Sequence, residues 1–271
     1  MNAAPSIVCA ERARDLLVAA CAAADPALVL LPGLYCGEVA GAIGEAGLRW
    51  RCYDLDSRLD PILDFDGLPA ARVCLVWCHL FGMVRPVPSL PAGVRVVEDC
   101  CHALRSWLAR GMTWPADRPA VFSPRKELGW REGGVAAWPG TRLPSWPPQA
   151  GAIRARWDAL HLEEEIDHGR ARTRAARAAL GARLPPGDAD DVLTYLPLLT
   201  TDAGPAIDAL RAQGLDAWRW LDAPCLRRPE EAPAANELWR MLVLVRLDEG
   251  ADGARILEAV RSACWRPWPD A

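Results

Sequence analysis

Apolar residues in this chain fall into short blocks separated by Ala-rich stretches of helical spacing. Residues 11 to 24, Glu-Arg-Ala-Arg-Asp-Leu-Leu-Val-Ala-Ala-Cys-Ala-Ala-Ala, have helix character and stop before Pro26. The run Ala27 to Leu31 ends at Pro32-Gly33, as a buried strand entering a loop does. A helix is predicted from Gly37 to Ala46, then a strand from Arg49 to Tyr53. Further strands are predicted at Val73 to Trp77, Val94 to Val97 and Ala120 to Phe122, and Gly133-Gly134 leads into another at Val135 to Trp138. Residues 139 to 150 are rich in Pro and read as a linker. Beyond them come a long helix from Ala152 to about Leu184, a strand Val192 to Leu199 and a helix Pro205 to Gln213. Strands Asp216 to Trp220 and Met241 to Leu247 and a helix Gly253 to Cys264 complete the pattern.

This alternation predicts an α/β fold with a mostly parallel mixed sheet sandwiched by helices. Two units are expected: a large one over residues 1–150, and a second over residues 151–271 made of the long helix and a small α/β part.

Composition narrows the class. Apolar residues are 51% and charged residues 24% of the 271, with a net charge of −4. With no basic stripe, a nucleic-acid scaffold is not expected. Arg170, Arg172, Arg174 and Arg177 lie on a helical pattern, where a solvated face accounts for them, and the run Glu163-Glu164-Glu165 reads as i,i+4 pairing. Nowhere do eighteen apolar residues run uninterrupted, and the start, Met-Asn-Ala-Ala-Pro, has no basic n-region; no membrane association is expected, and the ten cysteines read as reduced thiols of a cytoplasmic protein. Cys74, Cys78, His79, Cys100, Cys101 and His102 form one cluster with metal-ligand chemistry. On a strand, however, positions 74 and 78 stand ~13 Å apart, too far to share a tetrahedral ion, so no metal site is expected.

Lysine carries more information. Of 31 basic Lys and Arg residues one is lysine, Lys126, in the stretch Ala120-Val-Phe-Ser-Pro-Arg-Lys-Glu-Leu-Gly129. A chain that uses Arg wherever a positive charge suffices has kept Lys where an amine able to shed its proton is wanted. Three predicted strands run into reactive residues at their carboxyl ends: His79, then Glu98-Asp99 with His102, then Ser123 with Lys126. Open α/β sheets bind ligands at that edge. Asp99, His102, Ser123 and Lys126 together match what pyridoxal phosphate (PLP) needs: an amine for its aldehyde, a carboxylate for its pyridine nitrogen, a hydroxyl for its phosphate and a side chain near its ring.

The order Leu31-Pro-Gly-Leu-Tyr-Cys36, Cys52-Tyr-Asp-Leu-Asp56, His79-Leu-Phe-Gly82, Val97-Glu-Asp-Cys-Cys-His-Ala103 and Phe122-Ser-Pro-Arg-Lys126 with Glu132-Gly-Gly134 resembles the DegT/DnrJ/StrS-type aminotransferases. These are fold-type-I PLP enzymes, many of which aminate nucleotide-linked keto sugars. By the resemblance Lys126 is the Schiff-base lysine, Asp99 the partner of the pyridine nitrogen and His102 a neighbour of the ring's substituents. Ser123 binds phosphate, Tyr35 or Cys36 lies on the ring's face and His79 lines the same cavity. Burial and the cationic ring are expected to lower the Lys126 pKa. The resemblance further implies a homodimer, a small amino or keto substrate and a place in biosynthesis.

The chain departs from the family at the start of the first helix, where Cys9-Ala-Glu-Arg12 replaces small hydroxyl and glycine residues and Glu11 faces the expected phosphate position, with Arg12 or Arg14 to offset it. It is also about a hundred residues shorter than typical members, without their N-terminal arm, and residues 139 to 162 hold no counterpart of the family's Asn- and Arg-bearing loop. Three readings stay open: a compact PLP-dependent aminotransferase, an enzyme that uses Lys126 on a carbonyl substrate without PLP, and a non-catalytic relative that binds a partner.

Overall fold

A computed structural model describes residues 6–113, 115, 117–139, 151–220, 222–247, 253–261 and 265–269. The predicted linker lies outside the described residues from position 140 to 150, as does the end of the last predicted helix at 262–264.

Five strands run parallel: β2 (Leu28–Pro32), β3 (Trp50–Leu55), β5 (Val73–Cys78), β6 (Arg95–Asp99) and β7 (Ala120–Phe122). β8 (Gly134–Trp138) joins β7 antiparallel, and β1 (Ser6–Ala10) joins β8 the same way. At the other edge β4 (Pro61–Ile62) pairs with β3, giving the order β1-β8-β7-β6-β5-β2-β3-β4. All of β2 is buried, as a strand covered on both faces must be. On one face α1 (Ala13–Ala23) and α2 (Gly37–Glu45) lay Leu16, Leu17, Val39 and Ile43 against Val29, Leu31, Val76 and Val97. On the other face, Leu75 and Trp77 continue through Phe81 and Met83 into a core shared with a second sheet.

That sheet has the order β10-β11-β9-β12, with β9 (Tyr195–Thr200), β10 (Ala217–Trp218), β11 (Leu242–Arg246) and β12 (Trp265–Arg266) all antiparallel. α7 (Ala203–Ala212) and α10 (Gly253–Val260) pack with it. α9 (Pro233–Met241), preceded by the short α8 (Pro224–Arg227), reaches back to the large sheet: Asp54 on β3 accepts the N–H groups of Ala234 at 3.0 Å and Ala235 at 2.8 Å, capping the helix with a carboxylate.

The structure corrects several expectations. The long helix from 152 to about 184 is two helices, α5 (Gly151–Asp158) and α6 (Glu163–Leu180). Leu160 and Leu162 both turn inward, towards Trp107, Phe122 and Trp130, and positions two apart cannot share one helical face. The Glu163–Glu165 run forms the first turn of α6, where its charge suits the helix dipole. The strand expected from Val192 begins at Tyr195, because the preceding residues bond elsewhere: Val192 N–H to Ser106 Oγ at 2.7 Å, Leu193 N–H to Thr173 Oγ1 at 2.9 Å and Thr194 N–H to Phe81 O at 2.9 Å. Strand 216–220 shortens to β10. β1, α3 (Leu104–Ala109), α8, α9 and the two-residue strands β4 and β12 carried no strong periodicity.

The turn after β5 is where the two sheets meet. Phe81 has φ 60° and Gly82 φ 101°, and a Cβ on Gly82 would stand 2.5 Å from Val192 O and 2.9 Å from Leu193 Cα. Only glycine combines that conformation with that approach. Gly82→Ala is therefore expected to lose about 2–4 kcal/mol of stability from backbone strain and overpacking, read as a lower urea midpoint; an unchanged midpoint would contradict the packing.

Candidate active site

Strand alternation sorts the residues at the carboxyl edge of the sheet. Cys78, Asp99 and Cys101 face a cavity of about 470 Å³, bounded by the start of α1, the loop before α2 and the segment after β7. His79, Glu98 and Cys100 face the other way. Tyr35, Cys36, His102, Ser123 and Lys126 also line the cavity; His79 does not.

Two residues on, the chain turns back on itself to orient Asp99: the N–H of Cys101 donates to Asp99 Oδ1 at 2.9 Å, and the hydroxyl of Tyr35 donates to Oδ2. After β7, Ser123 and Pro124 start the single turn of α4 (Pro124–Glu127), with Pro at its first position. Lys126 sits on that turn, its Nζ 2.8 Å from His102 Nε2. Glu127, next in sequence and buried, turns inward and accepts the N–H groups of Leu104 at 2.7 Å and Arg105 at 3.0 Å, so α4 is tied to the start of α3, two residues after His102. Burial pushes the Glu127 pKa up against the opposing pull of Arg105.

His102 is held on every side. Its ring stacks on Phe81 at 6.1 Å and meets Tyr195 edge-on at 5.1 Å, and its carbonyl accepts the Thr194 hydroxyl at 2.9 Å. Burial, and then the nearby Lys126 charge, push its pKa well below the ordinary histidine value, so the imidazole is neutral.

For Lys126, burial opposes the charge, but Cys101, Asp99, Tyr195 and Cys36 together outweigh it and the pKa lies above the ordinary lysine value. Cys101 is itself a thiol, its pKa pushed well up by burial and by Asp99. The expected lowering rests in part on the charge of PLP's ring; within the protein alone, Cys101 first and then Asp99 favour the ammonium. An ammonium beside a neutral imidazole must donate, so Nε2 accepts and the ring proton sits on Nδ1. The N–H of Phe81, 3.4 Å from Nδ1, then faces another donor; the shorter, charge-assisted contact decides the tautomer.

The Cys/His cluster of the sequence divides between the two faces. His79 is fully buried, its Nε2 3.0 Å from Glu98 Oε2 and its Nδ1 accepting the N–H of Arg85 at 3.1 Å. Glu98 also pairs with Arg118, and although burial opposes it, His79 and Arg118 hold its pKa below the usual carboxylate range. The ligand atoms of His79, Glu98 and Cys100 lie within 4.8 Å of one another, but the first two already have protein partners. Alternation explains the correction for His79: with Cys78 turned to the cavity, its neighbour points away.

The residues present fit PLP. Lys126, Asp99 and His102 converge at one end of the cavity. At the other, α1 begins with Arg12, which makes no side-chain cap, so the first backbone N–H groups of the helix lack a side-chain acceptor. Ser123, 4% exposed, has no side-chain hydrogen bond among the described residues. Arg12, Arg125 and Arg131 also line the cavity and form no ion pair among the described residues, which offsets Glu11. Sequence reasoning missed Phe81, Glu127, Thr194, Tyr195 and Trp220. Of these, only Glu127 carried a signal, a charge adjacent to the lysine inside an apolar stretch.

No protein-family model matches the chain, and no curated protein matches it by sequence. Solved structures do match it. The structure of S. venezuelae DesV in complex with a ketimine intermediate is 20% identical, with 94% of this chain and 84% of that chain covered and a TM-score of 0.69. A DegT DnrJ EryC1 StrS aminotransferase from Brucella abortus is 17% identical, covering 95% and 86%, TM-score 0.71. 3-Amino-5-hydroxybenzoic acid synthase is 18% identical, covering 95% and 87%, TM-score 0.68. The chain has the fold of these proteins, which is the architecture the sequence resemblance implies. No helix among the described residues is long and apolar enough to cross a membrane.

With a single lysine in the chain, amine-selective reagents report on Lys126 and the α-amino group alone. Removing the carboxylate that favours the ammonium lowers the Lys126 pKa, so Asp99→Asn is expected to speed labelling of Lys126 at pH 8–9 by about tenfold per pKa unit recovered. Mass spectrometry of the labelled peptide checks this; an unchanged or slower rate would contradict the electrostatic assignment.

Proposed function

We propose that this chain is a compact PLP-dependent enzyme of the aminotransferase type, acting on a small amino or keto substrate in a biosynthetic pathway. The observation that carries the reading is the amine of Lys126 placed 2.8 Å from His102 Nε2 in the cavity where Asp99 is held by Tyr35 and Cys101. That amine is the one we assign to the Schiff base. The shared fold with aminotransferases supports the reading.

PLP, when bound, supplies an electron sink conjugated to the substrate carbon. The Asp99 carboxylate would hold a proton at the pyridine nitrogen. Ser123, the first N–H groups of α1 and Arg12, Arg125 and Arg131 would hold the phosphate. Tyr35 and Cys101 keep the Asp99 carboxylate in one orientation. Lys126 reacts only as the free amine, while its surroundings favour the ammonium; His102 Nε2, neutral and in hydrogen-bond contact, holds Nζ in place. Lys126 then serves as the base and acid that moves a proton at the substrate carbon. The homodimer and the cytoplasmic location belong to the same reading, and sedimentation of the purified chain checks the first.

Glu11 on the cavity wall favours a second reading, in which Lys126 acts on a carbonyl substrate without PLP. Adding PLP to the purified protein separates the two. The expected result is a visible absorption band, loss of that band in Lys126→Ala, and a mass increase on Lys126 after borohydride reduction. A protein that stays colourless with PLP, or whose band survives in Lys126→Ala, would overturn the proposal.

A further inference from the structure

A second hollow of about 480 Å³ adjoins the active-site cavity, and Cys36, Glu38 and Trp220 line both. Its walls are Ile207 on α7, Trp218 on β10 and Trp220 just after it, facing the first residues of α2. The charged side chains around it are engaged elsewhere. Glu38 pairs with Arg14 at 2.8 Å, and Asp222 with Arg227 at 2.9 Å. Arg219 lies over the Trp239 ring at 4.1 Å and donates to Arg240 O at 3.1 Å, while Arg211 Nε donates to Ala217 O at 3.0 Å. What remains facing the hollow is largely apolar. The contrast with the rest of the molecule is sharp, because among the described residues Ile62, at 51%, is the one large apolar residue that counts as exposed. Two half-buried tryptophans and an isoleucine gathered at the mouth of a reactive cavity call for an apolar occupant.

We infer that this hollow is the substrate side-chain subsite, and that the substrate is a small amine or keto compound bearing an apolar, preferably aromatic, group. The inference rests on the proposed amine–carbonyl chemistry at Lys126 and adds to it the class of substrate. Trp220 is the hinge between the two spaces, since its ring stands 6.1 Å from that of His102, which in turn contacts the amine. A substrate carbonyl at Lys126 thus places its side chain past Trp220 onto Trp218 and Ile207. The hollow's carboxylates, Glu38 and Asp222, and its guanidiniums, Arg211 and Arg219, are equal in number and already engaged with the protein, so none is left to hold a diphosphate. An indole or phenyl ring needs no such partner and removes apolar surface from water on both partners.

Isothermal titration calorimetry of the full chain, with and without PLP, tests this using indole-3-pyruvate, pyruvate and UDP-glucose. Indole-3-pyruvate is expected to bind about 10- to 100-fold tighter than pyruvate, the difference a buried aromatic side chain provides. Trp218→Ala and Ile207→Asp should each remove most of that preference, and Trp218→Phe should retain it. Trp218 also packs edge-on against Tyr195 at 5.3 Å, so Ile207→Asp on the surface of α7 gives an independent measure should Trp218→Ala fold poorly. Equal affinity for the two keto acids, a preference unmoved by both variants, or tighter binding of UDP-glucose than of indole-3-pyruvate would overturn the inference. If the visible band forms with PLP but the aromatic preference is missing, the subsite is wrong and the chemistry stands. If no band forms while the preference holds, the subsite stands and PLP does not.

Discussion

The arrangement turns on one buried carboxylate, Glu127, whose two oxygens accept the first backbone N–H groups of α3. A four-residue helical turn has no stability of its own, since nucleating a helix costs more than one hydrogen bond returns. Glu127 gives the α4 turn that stability by fastening it to a neighbouring helix start, where the positive end of the dipole and two unsatisfied donors want an anion. Lys126 directly precedes one end of that tie, and His102 lies two residues before the other. Their 2.8 Å contact is therefore a consequence of backbone anchoring, and it does not depend on the attraction between the two side chains.

Around this point the second sheet acts as a backing plate. Thr194 and Tyr195 reach the His102 carbonyl and ring, and Phe81, held in a left-handed turn by Gly82, closes the opposite face. On the far side of the cavity, Gly33 accepts the N–H of Cys225 and donates to Tyr53, and its α-carbon lies against Ala232 and Ala235 at the start of α9, where a Cβ would find no room. The loop carrying Tyr35 and Cys36 is thus clamped by the C-terminal part of the chain. Both walls of the cavity depend on segments distant in sequence, Thr194 lying 92 positions from His102 and Cys225 192 positions from Gly33, which is why the chain must fold as a unit to have a site at all.

How much of this could be read beforehand follows from range. The parallel strands and α1 were legible because periodicity and Pro or Gly stops are local signals, and Lys126 stood out because the chain uses arginine everywhere else. The sorting of His79 from Cys78, and of Glu98 from Asp99, is also local in principle, but it needs the absolute facing of a strand, which short fully apolar runs leave open. The break between α5 and α6 and the late start of β9 were not legible, because distant partners decide them: Trp107 and Phe122 for Leu162, Ser106 and Thr173 for the residues before β9. The surroundings of Lys126 are equally a matter of range: burial depresses its pKa, and Cys101 and then Asp99, brought near it by the fold, raise it.

The borders of the two sheets carry one more implication. In the large sheet β4 is two residues long and begins with proline, while β1 lies under α5, whose Arg154 occupies the Ile7 carbonyl at 3.1 Å. In the small sheet the outer strands β10 and β12 have two residues each. Among the described residues the chain therefore offers no open ladder long enough to template another strand. At these described edges self-association by strand addition has little to build on, and the same feature guards the apolar strands against growing into fibres.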